Sequence, residues 1–166
     1  MRISVDPGSI DAAAAAWTEQ GKLKLTRHFH APANWPLPRR LGALSKQFAD
    51  FLLETSLKDD VIAFEKFAKG HNDSGKGKTP PSMLITLGSG RGALMLTAIR
   101  WVGWECILEI EKREKKKTAQ LYARSIGLNL VDSHTKLINP NDVTEDMVDA
   151  AWIGVKAGFD RPTKGE

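Results

Sequence analysis

The sequence predicts an α/β fold, with one five-stranded mixed sheet flanked by helices. Three observations carry that expectation. Residues 2–6 and 22–30 alternate with the period of a β-strand. Residues 60–65 form a short apolar run suited to a buried parallel strand. Residues 39–57 and 144–158 set apolar side chains at helical spacing. Early strands followed by helices that alternate with further strands build one layered α/β unit. The chain has 166 residues, 42% of them apolar, which suits one domain with its own core and excludes a disordered chain. That domain is expected over residues 1–160, with a polar tail at 161–166. No internal repeat is visible.

Residues 2–6 run into Pro7-Gly8, a strand closed by a turn. Residues 11–18 are ambiguous, because five alanines favour a helix by propensity. The segment is short, however, and Glu19-Gln20-Gly21-Lys22 makes a hairpin loop. The expectation is therefore a hairpin of 11–18 with 22–30, whose small side chains let another element pack closely. Residues 31–38 are a Pro-rich connector. The helix at 39–57 carries Leu41, Leu44, Phe48, Phe51 and Leu52 on one face. Residues 69–81 read as a mobile basic loop, and 82–101 as a helix despite Gly88, Gly90 and Gly92. A strand at 104–110 and a strongly basic helix at 112–126 precede the final helix, whose apolar face holds Val148, Ala151, Trp152 and Val155.

The formal net charge of +4 is modest and does not by itself identify a nucleic-acid partner. Its distribution says more, since acids pooled at one site leave the rest of the surface more positive. Cys106 is the only cysteine, so no internal disulfide can form and a Cys-based zinc site is excluded; a reducing compartment is expected. No apolar run is expected to span a bilayer, and the first residues do not read as a signal peptide.

The acids stand at informative places. Asp6 closes the first strand and Glu65 closes the strand at 60–65, while Asp146 and Asp149 lie one turn apart at the start of the last helix. Each has an ordinary explanation. Asp often begins a turn before Pro-Gly. Acids in a first helical turn complement the helix dipole, and Asp142-Val143-Thr144-Glu145 resembles a capping box. Glu65 is harder to explain so, because a carboxylate ending an apolar strand is partly buried and needs a partner. Acids brought together repel unless a cation sits among them, and hard divalent ions prefer oxygen ligands. Two such ions activate water and stabilise the leaving oxygen of a phosphodiester. On a basic protein that combination suggests a nuclease.

In order along the chain, Asp6-Pro7-Gly8-Ser9, Phe64-Glu65-Lys66-Phe67, Leu87-Gly88-Ser89-Gly90-Arg91-Gly92 and Glu145-Asp146-Met147-Val148-Asp149-Ala150-Ala151 resemble the motifs of the RuvC-type Holliday-junction resolvases, of the RNase H-like superfamily. The likeness covers most of the chain. It implies an RNase H-like domain acting as a metal-dependent, structure-selective DNA endonuclease that resolves four-way junctions. It implies Asp6, Glu65, Asp146 and Asp149 as catalytic metal ligands for two Mg²⁺ per site, with Mn²⁺ as a substitute, and 5′-phosphate and 3′-hydroxyl products. Paired incision of a symmetric junction implies a homodimer.

The chain departs from the family in two places. Phe67 stands two residues after the second acid, where the family often has an aromatic wedge three residues after it. The stretch from 110 to 118 is compressed. A short divergent form suits a phage or other mobile element, acting in a bacterial or infected-host cytoplasm.

Lys112, Arg113, Lys115, Lys116 and Lys117 form the densest basic run. It is either a solvated face or a track for the DNA backbone. By resemblance, Lys116 or Lys117 lies near the scissile phosphate, and Arg91 with Ser89 meets phosphate. Phe67 either stacks on an unpaired base or packs in the core. The glycines at 88 and 92 share a helix face and admit a close neighbour; without a Gly-Lys-Ser/Thr they make no Walker A loop. His28, His30, His71 and His134 have no ligand spacing and read as surface or DNA-proximal. Three rivals stay open: an RNase H-like nuclease for another branched DNA or hybrid, a catalytically inactive junction-binding protein, and a nucleotide-binding regulator.

Overall fold

The structure, a computed structural model, describes residues 1–57, 59–66, 81–111, 130–131 and 144–162. In chain order the elements are β1 (Arg2–Asp6), β2 (Asp11–Trp17), β3 (Leu23–His30), α1 (Leu37–Thr55), β4 (Val61–Glu65), α2 (Pro81–Val102), β5 (Ile107–Ile110), β6 (Leu130–Val131) and α3 (Glu145–Lys156). The expected strands β1 to β5 form a mixed sheet in the order β5-β4-β1-β2-β3, and two-residue β6 joins its outer edge beside β3. β1, β2 and β3 are antiparallel neighbours, whereas β4 runs parallel to β1 and β5 parallel to β4. The chain thus leaves β1 on one side and returns on the other. An open α/β sheet binds its ligands beyond the carboxyl ends of the strands at such a reversal.

The alanine segment is a strand. Its side chains alternate between two cores, which propensity for helix cannot offset once both faces are covered. Ala12, Ala14 and Ala16 join Ile3, Val5, Phe29, Ile62 and Phe64 beneath α1 and α2. Ala13, Ala15 and Trp17 join Ala63 and the buried face of α3. Small residues thus let helices approach the sheet from both sides, as the sequence suggests. Gly154 of α3 shows how closely: a Cβ there would lie 2.3 Å from Trp17 Nε1 and 2.7 Å from Ser4 Oγ.

Under α1 the packing is aromatic. Phe29 lies 5.9 Å from both Phe48 and Phe51, ring centre to ring centre, and Phe48 meets Phe64 edge-on at 6.4 Å. Each such ring contributes roughly 2 kcal/mol by leaving water. Arg2 ties the far end together, donating to the carbonyl oxygens of Thr18, Glu19 and Arg161. There the hairpin turn needs Gly21, which has φ +82° and presses on Asp160.

Four expectations change. The strand expected at 104–110 begins as a 3₁₀ turn, Trp104–Cys106, and pairs only from Ile107. The cap of α3 is Thr144, whose hydroxyl accepts from the Met147 N–H at 3.3 Å; Asp142 lies outside the described residues. Among the described residues, neither Gly88 nor Gly92 has a close neighbour; Gly90 does, as described below. Finally, Ser82–Val102 of α2 is long and apolar enough to cross a bilayer by length and composition alone, because its glycines and threonines interrupt the apolar run without adding charge. The loop at 69–80, the basic helix at 112–126, Phe67, Lys112, Arg113, Lys115, Lys116, Lys117, His71 and His134 lie outside the described residues.

Candidate functional site

Strand parity assembles the site. In β1, Ile3 and Val5 face α1 and α2, so Ser4 and Asp6 face α3. Val5 of β1 is level with Phe64 of β4, so the next residues, Asp6 and Glu65, end the two parallel strands side by side. Glu65 shares its face with Val61 and Ala63, which pack under α3. Both acids therefore face α3 at the sheet's carboxyl edge. From above, α3 begins with Glu145 and Asp146 in its first turn, directed there by the Thr144 cap. Asp149 is one turn further on, and its Oδ1 is buried. The four expected acids thus share one face of the sheet, although they are scattered from residue 6 to residue 149.

The turn that carries Asp6 is clamped. A Cβ on Gly8 would lie 1.7 Å from the Asp11 carbonyl oxygen, so only glycine lets the turn close. From α2, Gly90 lies against the same turn, where a Cβ would come within 2.3 Å of the Gly8 carbonyl oxygen. Glu65 is steadied differently. Arg91 donates from Nε to the Glu65 carbonyl oxygen at 3.0 Å and pairs through its other end with Glu109 of β5. Its guanidinium is mostly buried and joins β4 to β5 under Glu65.

Asp11, which the sequence reading leaves out, and His28, which it takes for a surface or DNA-proximal residue, both belong to the site, and the His28 side chain is only 16% exposed. Asp11 opens β2 on the same face as Ala13, the partner of both Asp6 and His28. His28 Nε2 lies 3.1 Å from Asp11 Oδ1 and 3.6 Å from Asp146 Oδ2. The signal for them is the hairpin register, which pairs Asp11 with His30 and Ala13 with His28. Residue spacing alone does not set it. Burial pushes the Asp146 carboxyl above its ordinary range, and the charges of Asp11 and Asp149 push the same way, while His28 opposes them. Like charges and partial desolvation together disfavour the ionised acid unless a cation comes near.

Beside these acids is a cavity of about 530 Å³, lined by the Pro7–Asp11 turn, Asp6, Asp146, Arg40 of α1 and Ser82, Met83, Thr86 and Leu87 of α2. It opens at the carboxyl end of β1 and carries one guanidinium among its carboxylates. Among the described residues, no three His, Cys, Asp or Glu side chains already converge to hold a metal ion.

The structure is similar to that of Thermus thermophilus RuvC in complex with a Holliday-junction substrate, at 15% sequence identity and a TM-score of 0.64, covering 95% of this chain and 92% of that one. It is also similar to a second structure of Thermus thermophilus RuvC, at 16% identity and a TM-score of 0.57, covering 98% and 99% of the two chains. No protein-family profile and no curated protein matches the sequence. The fold is RNase H-like, of the RuvC type.

Proposed function

We propose that this protein is a metal-dependent endonuclease that resolves four-way DNA junctions by paired hydrolysis of phosphodiesters. The reading is supported by strand parity, which turns Asp6 and Glu65 to the face that the start of α3 covers, at the strand reversal where an α/β sheet takes its ligand. A RuvC-type fold is a nuclease scaffold, and the neighbour of this fold solved with DNA holds a Holliday junction.

The donor set fits a hard cation. All four side chains are carboxylates, and the half-buried Asp146 is held among like charges. Asp6, at the end of β1, would be one of the ligands of two Mg²⁺ ions. Glu65 would hold one from β4, and Asp146 and Asp149 would complete the set from α3. Ions held so would supply a water of lowered pKa and neutralise charge on the leaving oxygen. The chain itself binds and orients. Arg40 draws the phosphate into the cavity, the Gly8–Gly90 contact fixes Asp6, and Arg91 fixes the end of β4. The basic run at Lys112, Arg113, Lys115, Lys116 and Lys117 would hold the DNA backbone without reading sequence.

A junction with two equivalent scissile sites calls for two equivalent subunits. The face of α2 turned away from the core suits that contact. Ile85 and Leu96 are exposed on it, and Gly88 and Gly92 between them meet nothing within 4 Å among the described residues. A second copy of α2 could lie in that groove, with its apolar side chains over the glycines. A cytoplasmic site of action accompanies this reading.

The test is a labelled four-way junction incubated with Mg²⁺. The protein should nick it at symmetric positions, while Asp6→Asn should bind but not cut. Full turnover by Asp6→Asn would end the metal-site reading. Faster cutting of a flap, a fork or an RNA–DNA hybrid would shift the substrate assignment.

A further inference from the structure

Beside Asp6, four groups from three elements meet, and of these the proposed reaction uses only Asp146. Asp11 opens β2, His28 and His30 sit on β3, and Asp146 begins α3. Asp11 Oδ1 lies 2.6 Å from His30 Nδ1 and 3.1 Å from His28 Nε2. The same His28 nitrogen lies 3.6 Å from Asp146 Oδ2. One atom of His28 thus faces a carboxylate of the sheet and a carboxylate of the helix. A ring nitrogen in that place can donate when it carries a hydrogen, and a carboxylate oxygen can accept. The contact with Asp146 is longer than a hydrogen bond, so it acts on the place and direction of the carboxylate. The His28 side chain is only 16% exposed, which keeps its ring at this place.

The placement follows from register. His28 and Asp6 flank Ala13 on the α3 face, one strand to either side. The alanine leaves the space above β2 low, and the first turn of α3 lies over it. An acid in a first helical turn turns toward the unpaired N–H groups of its own helix. Asp146 keeps a backbone hydrogen bond at the start of α3 while its Oδ2 lies 3.6 Å from His28 Nε2 on β3.

We propose that His28 is a positioning residue for Asp146, braced by Asp11, and that it aims the first carboxylate of α3 toward the cation site beside Asp6. The proposal rests on the metal-nuclease reading and names a residue that reading leaves out. His28 touches neither cation nor DNA in this role. It acts through Asp146, as partners of metal-binding carboxylates do, and the loss of such a partner weakens metal binding by about 10- to 100-fold.

Two measurements test it on the whole chain. Mn²⁺ binding is followed by electron paramagnetic resonance without DNA, and single-turnover junction cleavage is followed across a Mg²⁺ series. His28→Ala should weaken Mn²⁺ binding about tenfold and raise the half-saturating Mg²⁺ by the same factor. Its rate at saturating Mg²⁺ should approach that of the natural protein, and junction binding in EDTA should not change. His28→Gln, whose amide can still donate, should recover part of the affinity. Should His28→Ala melt early, His28→Leu preserves the bulk and carries the same test. A folded variant with unchanged Mn²⁺ affinity and an unchanged Mg²⁺ curve overturns the proposal while leaving the nuclease reading intact. If the natural protein neither takes up Mn²⁺ nor cuts, the nuclease reading falls and this proposal falls with it.

Discussion

Gly90 of α2 lies directly on Gly8 of the turn after β1. A Cβ at position 90 would sit 2.3 Å from the Gly8 carbonyl oxygen and 2.7 Å from its carbonyl carbon. Both atoms are backbone, so neither side can rotate away. The contact joins the helix after β4 to the turn that carries Asp6, and the site inherits its geometry.

Gly90→Ala should therefore cost stability and activity together. Overpacking against backbone costs about 1–3 kcal/mol. The displaced turn should also slow junction cleavage by on the order of 10²-fold, the penalty for a misplacement near 1 Å. Urea unfolding and single-turnover kinetics would read both. Gly42→Ala is the control: position 42 meets nothing within 4 Å, and alanine there should stabilise α1 by roughly 0.5–1 kcal/mol.

Gly154→Ala tests the other helix. The new methyl would strike the Trp17 indole and the Ser4 hydroxyl, which share a buried hydrogen bond of 3.0 Å. Either α3 lifts or that bond breaks, at about 2–3 kcal/mol. Lifting α3 carries Asp146 and Asp149 away from Asp6. Loss of cleavage with retained junction binding is the expected result.

The pair of Arg27 and Glu54 sets an acid-side dependence of stability. Arg27 is buried over the Phe51 ring and donates to Glu54 at 2.7 Å. That hydrogen bond, with the Arg27 charge, holds the Glu54 carboxyl below its ordinary range. A depressed carboxyl stabilises the fold above its unfolded value, and the gain is lost as pH falls through the folded value. Glu54 is half exposed, so after solvent screening Glu54→Gln should cost only about 1 kcal/mol at neutral pH. The two proteins should converge in stability below the carboxylate range. A constant gap across an acid titration would contradict the assignment.

The groove on α2 predicts its own disruption. Ile85→Glu with Leu96→Glu should give a monomer by sedimentation and cut one strand of a junction without the paired second cut. Gly92→Leu, which fills the groove, should act in the same direction. Both residues pointing to solvent, 65% and 58% exposed, argues that the fold of one subunit will tolerate the change.

The chain's own order of residues determined the strands with clear alternation, the apolar face of α1, the buried run of β4 and the end positions of Asp6, Glu65, Asp146 and Asp149, because each follows from local period or turn chemistry. It reached the alanine strand only through the hairpin loop that follows, since alanine carries no period, and the two cores on either side of β2 supply the reason it is a strand. Tertiary structure alone decided which glycine bears a contact: Gly90 does and Gly88 and Gly92 do not, which depends on where the turn after β1 lies. It alone brought Asp11 and His28 to the acids, through the hairpin register together with the docking of α3, distant in sequence, over β2. It also turned Arg91 inward to the Glu65 carbonyl and Glu109, since a cation beside the ends of two strands is held by the oxygens they expose. Local chemistry is written residue by residue, whereas proximity across the sheet is a property of the packed chain.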